Sequence, residues 1–356
     1  MQPKRRELAT EQVRTHGRDF AHGKHKPAAH GIRRNWLALW RNNADDMPPF
    51  ARPARGALDT FDSLAHKNDV SDTKKAKPLA TTTPVDLVIH PRDMSFRWDS
   101  AGVRWWMGND PVATAYYNTF SAAFPQVERY FIDSVRRYRD LAGPELQQQI
   151  AAFIAQESMH SREHVAFNRV AVRGGYDLTN IELFLKKKLD WARALSPIKQ
   201  VASTAALEHF TTILSHEAVG NPRHLETAPA EIRRLWCWHC AEEIEHKAVA
   251  FDTFMLAAQS LSPPARWLLR CGVMISSTWL LFDFLSRGLA DFFRQDGITS
   301  PATWIRFLKF AFVAPGPIRL IMWPYIGWYM PGFHPWRRND RELIARAELA
   351  IASRPA

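Results

Sequence analysis

From position 111 onward this chain predicts an all-α fold. Three observations carry that expectation. Apolar residues recur at spacings of three and four through most of 111–260, the period of one helix face. Proline opens several of these stretches, as at Pro144 and after Ser196 at Pro197, where a missing N–H leaves no bond unmade. Glycine or proline closes them, as in "RGG" at 173–175 and "GNP" at 220–222.

The elements follow in order. Residues 84–110 are turn-rich and read as an extended segment. A helical stretch over 112–124 is expected to be interrupted by Pro125, with a second helix over 126–141. Further helices are expected from Pro144 to about 173, over 179–195, from Pro197 to about 220, and from Pro229 to Ser260. Beyond Pro264 the texture becomes more apolar. The longest uncharged run there, Cys271–Phe282, has twelve residues, fewer than the ~20 a spanning helix needs. The expectation for 263–356 is a hydrophobic helical extension packed on a bundle formed by 84–262, with an interfacial, lipid-touching role as the alternative. No internal repeat of fixed period is present.

Charge is uneven. Of the net +11, about +7 falls in residues 1–80, which hold 16 Lys/Arg against 9 Asp/Glu and lack sustained apolar periodicity. Residues 1–83 therefore read as a basic, mostly disordered region with no specific nucleic-acid motif. The first thirty residues contain no apolar run of the secretory kind, and three cysteines suit a reducing, cytoplasmic compartment. Cys237 and Cys240 form a CxxC inside a helical pattern without a second pair, which favours packed thiols over a zinc site.

The chemistry concentrates in "CWHCAEEIEH", residues 237–246. His239, Glu243 and His246 are separated by four and three positions and share a helix face, whereas Cys240, Glu242 and Glu245 point elsewhere, toward solvent or neighbouring helices. Glu157 and His160 repeat the Glu-x-x-His spacing in "QESMH", and Glu128 and Glu208 each stand in apolar surroundings on further helices. Glu, Glu-x-x-His, Glu, Glu-x-x-His on four helices is the ligand set of a ferritin-like four-helix bundle with a dinuclear carboxylate site. Four buried glutamates need compensation, and two divalent cations supply it. Carboxylates with imidazoles suit iron first, then manganese or zinc. His164, His209, Asp133 and Asp252 are candidates for orienting these ligands.

The stretches "FPQVERYFIDSVRRY", "FIAQESMHSREHVAFN", "LEHFTTIL", "WHCAEEIEHKAVAFD" and "YMPGFHPW" resemble the bacterial family labelled predicted metal-dependent hydrolase, over about residues 90–340. The chain departs from the family pattern at Val127, where that pattern has glycine. The triple His239, Glu243, His246 is also similar to the last ligand helix of the di-iron arylamine N-oxygenases of the p-aminobenzoate N-oxygenase type. That resemblance implies His239 as a third nitrogen ligand.

Three functions compete. The favoured expectation is an O2-activating di-iron oxygenase or oxidase with a small organic substrate, lipid-like if the apolar C-terminal part contributes, and a redox partner. The alternative is a hydrolase in which two cations lower the pKa of a water and clamp an ester or phosphoester. The chain shows neither a distinct general acid nor a phosphate-cradling glycine loop. A ferroxidase or metal-handling role ranks third, because some ninety aromatic-rich residues after the last ligand helix would be superfluous in a cage subunit. Oligomeric state is not readable, and membrane contact, if any, is expected to be peripheral.

Overall fold

The computed structural model describes residues 83–84, 86–98 and 104–352. The basic region expected over 1–83 thus lies outside the described residues, Thr83 excepted. The described residues all belong to one compact unit, Thr60–Ala356, and they contain no strand.

Four long helices position the site: α1 (Pro111–Arg136), α2 (Pro144–Arg173), α4 (Pro197–Gly220) and α5 (Ala230–Glu245). The shorter α3 (Thr179–Arg193) and α6 (Val249–Ala257) follow α2 and α5. Then come α7 (Pro263–Gln295), α8 (Pro301–Phe312), the short α9 (Pro317–Leu320) and α10 (Met322–Gly327), and α11 (Arg341–Ala352). Proline occupies the first turn of α1, α2, α4, α7, α8 and α9, where its ring presets φ. Asp110 caps α1 by accepting from the Val112 and Ala113 amides. Gly175, at φ +91°, turns the chain after α2 in a conformation that glycine adopts without strain.

The packing explains why these helices assemble. α1 lies along α2, α4 along α5, and α7 crosses both α1 and α4. On α2 the buried stripe runs Ile150, Phe153, Glu157, His160, His164, Phe167, a strict alternation of three and four. Polar groups therefore occupy the middle of a stripe whose ends are apolar. The same holds on α5, where Ile232 and Leu235 lead into His239 and Glu243. α11 returns to pack along α5, and α7 also touches α3.

Two boundaries differ from expectation. α1 is continuous through Pro125. A proline inside a helix leaves the carbonyl four residues earlier without its amide. Here that carbonyl, on Ser121, accepts instead from the Asn168 side-chain amide of α2 at 3.0 Å. Conversely, the helix expected over 229–260 breaks at 246–248. Lys247, buried at the break, is held by the Asp340 carboxylate at 2.7 Å and the Arg338 carbonyl at 2.8 Å. The apolar C-terminal part forms one 33-residue helix, α7, long and apolar enough to cross a membrane by length and composition, with 39% of its most apolar window buried against the protein.

Close approach of α7 to α1 depends on Gly288, where an added Cβ would stand 2.4 Å from Thr119 Cγ2. Gly288→Ala is expected to destabilise the protein by about 1–3 kcal/mol, the usual range for overpacking. Denaturant unfolding would measure this, and adding Thr119→Ala should recover part of the loss.

Candidate metal centre

The four long helices bring Glu128, Glu157, His160, Glu208, His239, Glu243 and His246 to one buried point, each at most 2% exposed. Their ligand-type atoms form three overlapping groups, each spanning no more than 4.8 Å: Glu128–His160–His239, Glu157–His160–Glu243 and Glu157–Glu208–His246. Glu243 Oε1 stands almost equidistant from three imidazoles, at 3.5 Å from His239 Nε2 and 3.6 Å from both His160 Nδ1 and His246 Nε2. Glu157 faces both sides, with Oε1 3.2 Å from His246 Nε2 and Oε2 3.8 Å from His160 Nδ1. Glu208 Oε2 lies 3.2 Å from His246 Nε2. Two ligands ~2.0–2.2 Å from a shared cation sit roughly 3.0–3.5 Å apart, so these separations suit ligands that converge on common ions. Glu128, His160 and His239 could hold a cation at one end of the cluster, and Glu208 with His246 lie at the other end. Glu157 and Glu243 stand between the two.

The hydrogen-bond pattern tests that fit. Among the described residues, nine buried side-chain atoms of these seven residues make no hydrogen bond of ordinary geometry and meet only charged groups of the same cluster: Glu128 Oε1, both oxygens of Glu157 and of Glu208, His160 Nδ1, His239 Nε2, Glu243 Oε2 and His246 Nε2. Orphaned buried polar atoms each cost about 1–3 kcal/mol, so nine at one point is a strong departure from ordinary packing. The atoms facing away from that point, in contrast, are bonded. His160 Nε2 meets Glu242 at 3.0 Å, His246 Nδ1 meets Gln156 Oε1 at 3.0 Å, and His239 Nδ1 meets His164 Nε2 at 3.1 Å. Each imidazole thus has one nitrogen fixed by a hydrogen bond and the other turned toward the carboxylates of the centre, an arrangement that suits oriented metal ligands. Ser161 donates to the second oxygen of Glu128 at 2.8 Å.

Charge tells the same story. Burial pushes the Glu128 carboxyl well above the carboxylate range, with the neighbouring Glu157 adding to it. Burial also raises Glu157, and it takes Glu208 up to about 8 together with Glu243 and Glu157. For Glu243 burial pulls upward, but His246, His239 and His160 outweigh it and hold the group at about 2. His160 is carried to about 10 by Glu157 and Glu242 against the opposing effect of burial, while burial and His160 hold His239 well below its usual value. Without metal the cluster can balance its charge only with protons, and two divalent cations would replace them.

Three of the residues expected to orient the ligands lie elsewhere. His164 does stand beside the centre, between His239 and Ser121 Oγ at 2.9 Å. His209 instead faces the Pro324 carbonyl at 3.2 Å, lies tilted against Trp328 and meets Phe333 edge-to-face. Asp133 is half exposed between Arg129 and Arg136, because α1 turns that position outward one step past the Glu128 face. Asp252, on α6 beyond the helix break, pairs with His334 at 3.1 Å and Thr83. Cys237 and Cys240 are buried free thiols, and burial pushes Cys237 up to about 11.

Residues that helical spacing did not single out complete the shell. Glu242 and Glu245, expected to point away from the ligand face toward solvent or neighbouring helices, are buried. Arg92, in the extended segment before α1, clasps both: its guanidinium lies 2.9 Å from Glu245 and 3.4 Å from Glu242. The backbone N–H of Arg92 donates to Glu242 at 2.8 Å, and that of His90 to Glu245 at 3.0 Å. Glu245 then accepts from Gln156 Nε2 at 2.8 Å, and Gln156 holds His246. One arginine thereby steadies His160 through Glu242 and His246 through Glu245 and Gln156. Proximity of two glutamates to "H" in sequence was the available signal; the partner 150 residues away was not.

A family model described as predicted metal-dependent hydrolase matches residues 90–339. No curated protein and no solved structure matches the chain.

The geometry sets two expectations. Glu157→Ala or Glu243→Ala, removing a residue between both positions, should abolish binding of both metal equivalents, whereas Glu128→Ala or Glu208→Ala should spare about one; elemental analysis after reconstitution reads the difference. Arg92→Met should weaken metal affinity by roughly 10–100-fold, as loss of an outer partner does, with helical content by circular dichroism unchanged.

Proposed function

The chain belongs to the predicted metal-dependent hydrolase family, and we propose that it hydrolyses an ester or phosphoester at two divalent cations. The proposed ligands are Glu128, Glu157, His160, Glu208, His239, Glu243 and His246, on a ferritin-like arrangement of α1, α2, α4 and α5. The observation that supports this most is the set of nine inward-facing oxygen and nitrogen atoms that converge from four helices without a hydrogen bond among the described residues. When bound, such a pair of cations polarises a substrate oxygen and brings a water toward ionisation near neutral pH.

The protein's own contribution is positioning and exclusion of water. Four carboxylates match the charge of two divalent ions, so the loaded site is near neutral and does not repel an anionic ester. Glu242, Gln156 and His164 fix the imidazole rings, sparing reorganisation when substrate arrives. Aromatic rings keep the centre dry: Phe124 is 4.5 Å from His239, Trp238 4.8 Å from His160 and Phe153 4.9 Å from His246, between ring centroids. In that environment fixed charges act more strongly than in water. Carboxylate and imidazole donors accept manganese, iron or zinc.

One observation favours a second reading. His239 adds a third imidazole to the Glu-x-x-His set, which suits iron and an O2-dependent oxidation of a small organic substrate supplied with electrons by a redox partner.

Anaerobic assays separate the two. Protein loaded with zinc or manganese should hydrolyse p-nitrophenyl esters or phosphoesters without oxygen, and Glu243→Ala should lower the rate at least ~100-fold. Activity that appears only with iron and consumes O2 in proportion to product would displace hydrolysis in favour of oxidation.

A further inference from the structure

We infer that the outward faces of α7, α8 and α10 dock this protein on an anionic lipid bilayer surface. Among the described residues, thirteen of the eighteen exposed large hydrophobic side chains fall within 267–330. They are ordered, not scattered. On α7, Leu268, Ile275, Trp279 and Phe282 are spaced by seven, four and three, one outward stripe of the helix. On α8, Ile305, Leu308 and Phe312 repeat the three–four spacing, and on α10 Met322 and Ile326 flank Trp323, which is 80% exposed. Each helix also has an inner face fixed in the protein, such as Gly288 of α7 against Thr119 and Phe310 of α8 against Tyr116 at 5.2 Å. The apolar residues outside are therefore surplus to the core.

These elements adjoin one another. Thr278 on α7 bonds the Tyr325 hydroxyl on α10 at 3.0 Å, and Arg319 on α9 reaches the Phe312 carbonyl of α8 at 2.9 Å. Phe282 of α7, Ile318 of α9 and Ile321 just past it line a common apolar cleft. Ordered apolar faces on adjacent elements mark an interaction surface.

The charge around this surface specifies its occupant. Every exposed charged side chain between 261 and 339 is cationic, including Arg287, Arg306, Lys309 and Arg319. The three acidic residues of that stretch are buried or half-buried and bonded: Asp283 to Lys188 and Arg287, Asp291 to Arg294, and Asp296 to Arg104. Arg306 is also paired with the partly exposed Asp110, so the rim is net positive rather than free of carboxylates. Apolar and tryptophan side chains within such a rim match an anionic bilayer, where the rings sit at headgroup level and the cations meet lipid phosphates. Because α7 is packed along α1 and α4, it offers lipid one side only, which suits lying in the interface over spanning the bilayer.

The inference stands apart from the hydrolytic reading, and flotation with vesicles tests it. Full-length, metal-loaded protein should float with phosphatidylcholine vesicles containing about one third phosphatidylglycerol, and at least ~tenfold less with phosphatidylcholine alone. Trp279→Glu/Ile305→Glu/Trp323→Glu should lose at least ~tenfold of the binding while keeping its circular dichroism and metal content, because all three side chains are exposed. Should that variant lose its fold, Arg306→Glu/Lys309→Glu provides the same test through charge and should bind anionic vesicles at least ~tenfold less. No flotation of the unaltered chain would overturn the inference. So would undiminished binding by a folded variant, which would assign lipid contact to the basic residues 1–80. Light scattering showing an oligomer that the triple variant dissolves would assign the surface to a second copy instead.

Discussion

Four carboxylates buried at one point are the constraint on which the rest of this structure depends. A carboxylate moved from water into a protein interior loses several kcal/mol of solvation unless something positive faces it. Glu128, Glu157, Glu208 and Glu243 come from four different helices, and among the described residues the groups that can carry positive charge between them are imidazoles. The bundle must therefore close around a centre that protons alone satisfy poorly. Its side chains leave their inner atoms bare and bind their outer atoms tightly, which makes sense if cations complete the set.

That constraint reaches well beyond the ligands. The rigid placement of His239 runs through His164 to Ser121 and Asn168, and the same Asn168 repairs the carbonyl that Pro125 leaves without an amide. A proline that would kink an isolated helix is tolerated because the neighbouring helix supplies the missing donor. On the opposite side, Arg92 draws the segment before α1 across the ends of Glu242 and Glu245 and reaches Glu348 of α11 at 2.7 Å. Both chain-terminal parts of the described fold are thus tied to the orientation of His160 and His246.

Stability is conceded at the centre and recovered at its margins. Glu157, His160 and His164 occupy stripe positions where an apolar residue would each contribute roughly 1.5–3 kcal/mol by burial. Phe153 and Phe167 on the same helix, and Trp238 on α5, are fully buried around them. The C-terminal helices add further cover, since α7 crosses α1 and α4 and α11 follows α5. What those later helices do not bury is an apolar outer face bordered by positive charge.

The seven converging residues and the all-helical character were legible in the chain, because helical spacing at three, four and seven is a local property that survives any tertiary arrangement. Local chemistry also marked most helix starts, through proline, and the end of α2, through glycine. Whether Pro125 breaks a helix, however, depended on a donor forty-three positions away, and the break at His246 coincides with a lysine held by Asp340. Helical phase places Glu242 and Glu245 beside the ligand face and leaves open whether they meet solvent or a neighbouring element; the packing of residues 90–92 against α5 makes that flank interior. His209 and Asp252 show the converse, polar groups on or near the right helices whose direction is set by α10 and by His334. Periodicity determines which residues of one helix share a side, but which side is inside is a property of the neighbours, and that only the assembled tertiary structure decided.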